Sequence, residues 1–145
     1  MSEPAGYSGR PLPRKLGIKA EQYVRLVRAP AAFDLGELPA GVTVSRSDQP
    51  SGLPDLTLLF CPDRATLERW FGPLKAELAA NGTLWVAWQK QASKIPTDIG
   101  ERGVREHGLA GGLVDVKICA IDAVWSGIKF VYRLSDRPNV SRTQA

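Results

Sequence analysis

Between residues 13 and 134 the chain alternates short apolar runs with amphipathic segments. Residues 56–60 (Leu-Thr-Leu-Leu-Phe) and 83–88 (Thr-Leu-Trp-Val-Ala-Trp) are apolar almost throughout. Their length and continuity are those of parallel strands covered on both faces. Residues 23–27, with Val24, Leu26 and Val27, predict a first strand, and residues 42–45, with β-branched Val42, Thr43 and Val44, a short second one. Residues 113–121 and 128–134 read as two long strands. The connection between them, residues 122–127, is short enough for an antiparallel pair.

Helical spacing fills the gaps. A short helix is expected at Pro13 to Leu16, and one helical turn at Phe33 to Leu38 before Pro39. Asp63 can cap a helix whose Leu67, Trp70, Phe71, Leu74 and Leu78 form an apolar stripe, with Gly72-Pro73 kinking it and Asn81-Gly82 ending it. Asp98 and Glu101 have capping-box spacing for a third helix that turns Ile99, Val104 and Leu109 inward and closes at Gly111-Gly112. Strands alternating with helices predict a mixed α/β sheet, mostly parallel with a C-terminal antiparallel hairpin and helices on both faces. A chain of 145 residues, 43% hydrophobic, has room for one such domain, over residues 13–134. Residues 1–12 and 135–145 read as flexible tails.

Charge and cysteine content narrow the function classes. The formal net charge is +4, but residues 1–19 carry +3 and residues 133–145 carry +2, leaving −1 for the body of the domain. A nucleic-acid footprint is a face of the fold rather than two flanks, so nucleic acid is not the expected partner. No apolar run approaches the roughly 20 residues of a spanning helix, which excludes a membrane-spanning helix. The N-terminus lacks a secretory pattern, so the expected location is the cytoplasm. Cys61 and Cys119 lie in or beside apolar runs and read as buried structural thiols.

The order of elements resembles a Rossmann-type methyltransferase domain reduced to its minimum, over about residues 13 to 134. In that fold the first strand runs into a glycine-rich loop that lets the backbone approach the cofactor. Here the same place reads Arg28-Ala29-Pro30-Ala31-Ala32, and the second strand ends without an acid to hold a ribose, Asp48 being the nearest. The expectation is therefore no bound cofactor. At the level of motifs the chain resembles a family of small bacterial proteins described as a domain of unknown function. The resemblance rests on Gly6-Tyr7-Ser8-Gly9, Lys15-Leu16-Gly17-Ile18-Lys19, Phe33 to Pro39, Leu84 to Trp88 and Pro96-Thr97-Asp98. Its longest stretch runs from Gly112 through Asp115, Lys117 and Asp122 to Trp125-Ser126-Gly127. It implies no particular chemistry.

Ligands of open α/β sheets sit beyond the carboxyl ends of the strands. Three segments should meet there: Arg28, Cys61-Pro62, and the loop after Trp88, which carries Lys90, Ser93, Lys94 and Thr97 toward a helix N-terminus. Arg28, Lys90, Ser93, Lys94 and Thr97 are candidates to hold a small anion, and Trp88 and Trp125 to stack on a ring. A solvated pair of lysines and a simple helix cap would read the same way. His107 is the only histidine, so neither a metal site nor a histidine-assisted nucleophile is expected. No catalytic constellation is identified. The leading expectation is a non-catalytic binding or regulatory module that engages a small anionic ligand or a protein partner; the alternative is a diverged methyltransferase-like transferase. A homodimer through the terminal hairpin, using Phe130, Tyr132 and Leu134, is a further expectation.

Overall fold

A computed structural model gives the structure over residues 11–46 and 52–133. The expected C-terminal tail, residues 1–10 of the N-terminal one, Asp48 and Leu134 lie outside the described residues.

Helix α1 (Leu12–Leu16) starts on Pro11 and Pro13, whose fixed φ suits a first turn, and stops at Gly17 in the left-handed region (φ 84°). It precedes β1 (Tyr23–Val27), β2 (Thr43–Ser45), β3 (Leu56–Cys61), α2 (Arg64–Ala76), β4 (Thr83–Gln89), α3 (Glu101–Ala110), β5 (Leu113–Ala120) and β6 (Trp125–Tyr132). The six strands form one sheet in the order β2-β1-β3-β4-β6-β5. β1 to β4 run parallel, and β6 lies antiparallel between β4 and β5. The mixed, mostly parallel sheet and its antiparallel hairpin are thus as expected.

Period-two alternation builds a core on each face. Leu56, Leu58 and Phe60 of β3, with Trp85 and Ala87 of β4, face Leu12 and Leu16 of α1. Leu59, Cys61, Leu84, Val86 and Trp88 point the other way, onto Leu67, Phe71 and Leu74 of α2 and Val104 of α3. Arg25, 1% exposed, sits mid-strand in β1 and pairs with Glu77 at the end of α2, which satisfies its buried charge.

Four local expectations are corrected. Residues 33–38 form no helical turn: the Asp34 carboxylate accepts from the Gly36 amide at 2.9 Å, a local bond that competes with helix. Pro73 lies inside α2, which ends three residues later at Ala76, before Asn81-Gly82. Leu109 is 38% exposed, because the inward stripe of α3 is Val104 and Gly108 and the next residue rotates about 100° away. β6 begins at Trp125, because the Asp122 carboxylate accepts from the Val124 and Trp125 amides at 2.8 Å and closes the turn early. The expected dimer residues are also placed differently: β6 is internal to the sheet, and Phe130 is fully buried in its own core.

Candidate functional site

Beyond Gln89 the chain leaves the sheet with the Lys90 amide donating to the Val124 carbonyl (2.7 Å). A 3-10 turn, Gln91–Ser93, follows and is closed from within: the Ser93 hydroxyl donates to the Lys90 carbonyl (2.7 Å) and accepts from the Ile95 amide (3.3 Å). Lys94 then takes a left-handed conformation (φ 61°), reversing the chain over the strand ends. The Thr97 hydroxyl donates to the Pro62 carbonyl (2.8 Å), and Asp98 Oδ1 accepts from the Arg64 amide (2.7 Å).

The result is an open groove of about 780 Å³, within the range of small-ligand sites. Trp88, Ile95, Ile99 and Ile118 give it apolar walls; Lys90, Lys94, Thr97, Asp98 and Glu101 give it charge and polarity. Both carboxylates are engaged away from the lysines, Asp98 with the Arg64 amide and Glu101 with Arg105 (3.0 Å). The ammonium groups of Lys90 and Lys94 have no hydrogen bond or ion pair among the described residues.

Of the residues singled out from sequence, Lys90, Lys94, Thr97 and Trp88 therefore share one groove. Ser93 does not line it, its hydroxyl being used inside the turn. Trp88, 5% exposed, is floor rather than a free platform. Trp125 belongs to the opposite face, 7% exposed with its ring edge-on to Phe60 at 5.0 Å. Arg28 stands apart at the end of β1, and its charge bears on Asp63. The expected capping box is corrected: α3 begins at Glu101 with Gly100 as an N-cap lacking any side-chain bond, and Asp98 caps α2 instead. Nothing in the local spacing distinguishes those two uses of Asp98. Ile118 and Ser126, which line the groove from the hairpin, were also missed, because only the antiparallel insertion of β6 brings them there.

The crevice between the carboxyl ends of β1 and β3 is filled by the protein itself. Arg28 follows β1 with φ 61° and leads into Ala29-Pro30. Phe33 meets Phe60 edge-on at 4.8 Å, and the Arg46 guanidinium, just after β2, donates to the Pro30 carbonyl (2.8 Å) and the Phe33 carbonyl (3.2 Å). The first amides of α2 are taken by the chain's own carboxylates, Arg64 by Asp98 and Thr66 by Asp63 (2.9 Å). The Thr66 hydroxyl and amide hold the Asp63 carboxyl below the usual carboxylate range, with Arg28 adding to the effect. Burial pushes the Cys61 thiol far above the ordinary range, so at the end of β3 it is an inert hydrophobe. Among the described residues no group of three His, Cys, Asp or Glu side chains converges as a metal site, and no helix is long and apolar enough to cross a membrane.

No protein-family model matches the chain, and no curated protein matches it in sequence. In fold it is similar to LepI in complex with SAM, with a TM-score of 0.53 at 13% identity, over 86% of this chain and 47% of that one. It is also similar to a putative methyltransferase from Thermoplasma acidophilum, with a TM-score of 0.45 at 9% identity, over 80% of this chain and 70% of that one. The chain thus spans about half the length of LepI. The likeness is one of fold alone, a Rossmann-like mixed α/β sheet.

Proposed function

We propose that this chain is a diverged methyltransferase-like domain whose working site is the groove beyond β4, where it binds a small ligand carrying a carboxylate or phosphate. The observation that carries this reading is the pair Lys90 and Lys94 on the groove rim, without partners among the described residues while both neighbouring carboxylates are engaged elsewhere. Two ammonium groups beside an apolar wall suit an anion with a hydrocarbon or ring body. The likeness to a protein solved with SAM supports the methyltransferase-like reading better than a module of unrelated descent.

The residues present do not fit S-adenosylmethionine in the crevice such folds use. Residues 28–35, directly after β1, hold no glycine, Arg46 ties the carbonyls of Pro30 and Phe33 down, and the α2 amides of Arg64 and Thr66 are occupied by Asp98 and Asp63. This favours a second reading, ligand binding without methyl transfer. Both cysteines are free, which suits a reducing compartment, and the cytoplasm is the proposed location.

A thermal-shift series against S-adenosylmethionine, nucleotides, and acyl and sugar phosphates tests these readings, repeated on Lys90→Ala and Lys94→Ala. A ligand that binds the native state raises the melting temperature by mass action. A rise lost in both variants supports the groove. A rise with S-adenosylmethionine that both variants retain overturns the closed crevice and restores the transferase reading. No rise with any ligand overturns the groove in favour of a protein-binding module.

A further inference from the structure

We propose a second anion site on the opposite face of the sheet, where Lys117 and Lys129 meet beside the end of α1 and, helped by the charge of Lys19, hold the phosphate group of a small ligand. Lys117 of β5 and Lys129 of β6 are direct partners across the antiparallel pair, with Trp85 of β4 next in the row. Like charges placed directly opposite destabilise a sheet. Folded proteins usually set a carboxylate against such a pair; here the charged groups bearing on Lys129 are Lys117 and Lys19, and those bearing on neighbouring Cys119 are Lys15 and Lys117. Among the described residues no carboxylate is one of them.

Backbone carbonyls account for only part of this convergence. Lys117 Nζ donates to the Lys15 carbonyl (3.0 Å) and Lys15 Nζ to the Ala120 carbonyl (2.6 Å), so these two cap the ends of α1 and β5. The side chains of Lys19 and Lys129 have no such acceptor among the described residues. The Lys129 ammonium lies beside the Gly17 turn, where a Cβ would come within 3.6 Å of it. Partial burial, then the charges of Lys117 and Lys19, hold Lys129 below the usual lysine range, so the folded protein bears an uncompensated cost there.

An anion between these ammonium groups would remove that cost. Lysines bind phosphate as point charges, and neighbouring ammonium groups suit a compact, multiply charged oxyanion. The nearby ring, Trp85, is fully buried with its Nε1 on the Leu16 carbonyl (3.0 Å), so it offers no face to a base. That favours a small phosphorylated molecule over a nucleic-acid strand. The site is independent of the groove, whose Trp88 and Ile99 belong to the other face.

Pyrophosphate is the probe, in the Lys90→Ala/Lys94→Ala background so that the groove is silent, against sodium chloride of equal ionic strength. At ten times its dissociation constant it should raise the melting temperature by about 3–6 °C. Lys129→Gln and the change Lys19→Gln at an exposed position should each weaken that response at least tenfold, yet melt at or above the parent without ligand. A rise matched by sodium chloride, a response unchanged in both variants, a response seen only when Lys90 and Lys94 are intact, or binding of a single-stranded oligonucleotide without pyrophosphate would each overturn the proposal.

Discussion

Gly108 is where α3 touches the sheet most closely, and replacing it with alanine tests how the groove is held. A Cβ there would lie 2.1 Å from Phe130 Cε1, 2.3 Å from Cζ and 2.7 Å from Cδ1. The ring has nowhere to go: Phe130 is fully buried and stands edge-on to Phe71 at 6.0 Å. Alanine gains about 1 kcal/mol of helix propensity over glycine, while overpacking a buried ring costs about 1–3 kcal/mol and more when the overlap is this deep. The expected net loss is about 1–2 kcal/mol, or a fall in Tm of roughly 3–8 °C. Gly103 of the same helix is the control. Its Cβ would meet the end of the Arg64 guanidinium at 3.1 Å and Ile99 Cγ1 at 3.4 Å, and an exposed guanidinium can move aside. Gly103→Ala should therefore stabilise by about 0.5–1 kcal/mol. Urea denaturation of both variants reads the difference directly. Equal shifts in the two, or a Gly108→Ala protein as stable as the parent, would refute the packing argument.

Lys129 binds its proton less tightly folded than unfolded, so between those two pKa values the unfolded state carries more protons and stability rises with pH; Lys129→Gln should raise stability at neutral pH and flatten that rise in alkaline melts. Burial raises both thiols, Cys61 the more, so in native protein an aromatic disulfide reagent should modify Cys119 slowly and reach Cys61 only on unfolding; prompt reaction at Cys61 would contradict the structure. Asp98→Asn keeps an acceptor for the Arg64 amide but removes a negative charge from the groove rim, so an anionic groove ligand should bind about 1.5- to 5-fold tighter, whereas Asp98→Ala should also lower the Tm. The edge strand at the hairpin end of the sheet is β5, blunted by a bulge between Asp115 and Lys117, so sizing chromatography at high concentration should return a monomer; a dimer formed through β5 would show that this edge pairs despite it.

The sheet could be read from the chain because its signals are local and redundant. A run such as 56–60 needs cover on both faces wherever it sits, and β3 is buried at every position. The errors fall where one side chain chooses between distant partners. Asp98 and Glu101 have capping-box spacing, but the Arg64 amide, 34 residues away in sequence, takes the carboxylate. Asp34 and Asp122 each turn the backbone through amides two or three residues on, which cost the helical turn at 33–38 and started β6 early. In α3 the periodicity of apolar residues pointed to Leu109, whereas the residue packed inward is a glycine, which carries no hydrophobic signal.

The same long-range contact explains why a sheet of this kind has an open groove in one place and a closed crevice in another. Thr97 and Asp98 fasten the loop after β4 to Pro62 and Arg64, at the junction of β3 and α2. That places a carboxylate on the first amide of α2, where an anionic ligand would otherwise find the helix terminus. The residues just before this tether form the groove rim, with Lys94 in its left-handed conformation and Lys90 beside it. Freeing the α2 terminus for a ligand would release the loop that presents the two lysines. The contact that occupies the α2 terminus therefore also anchors the groove loop, and Asp98→Asn separates the two by keeping the tether while altering the charge.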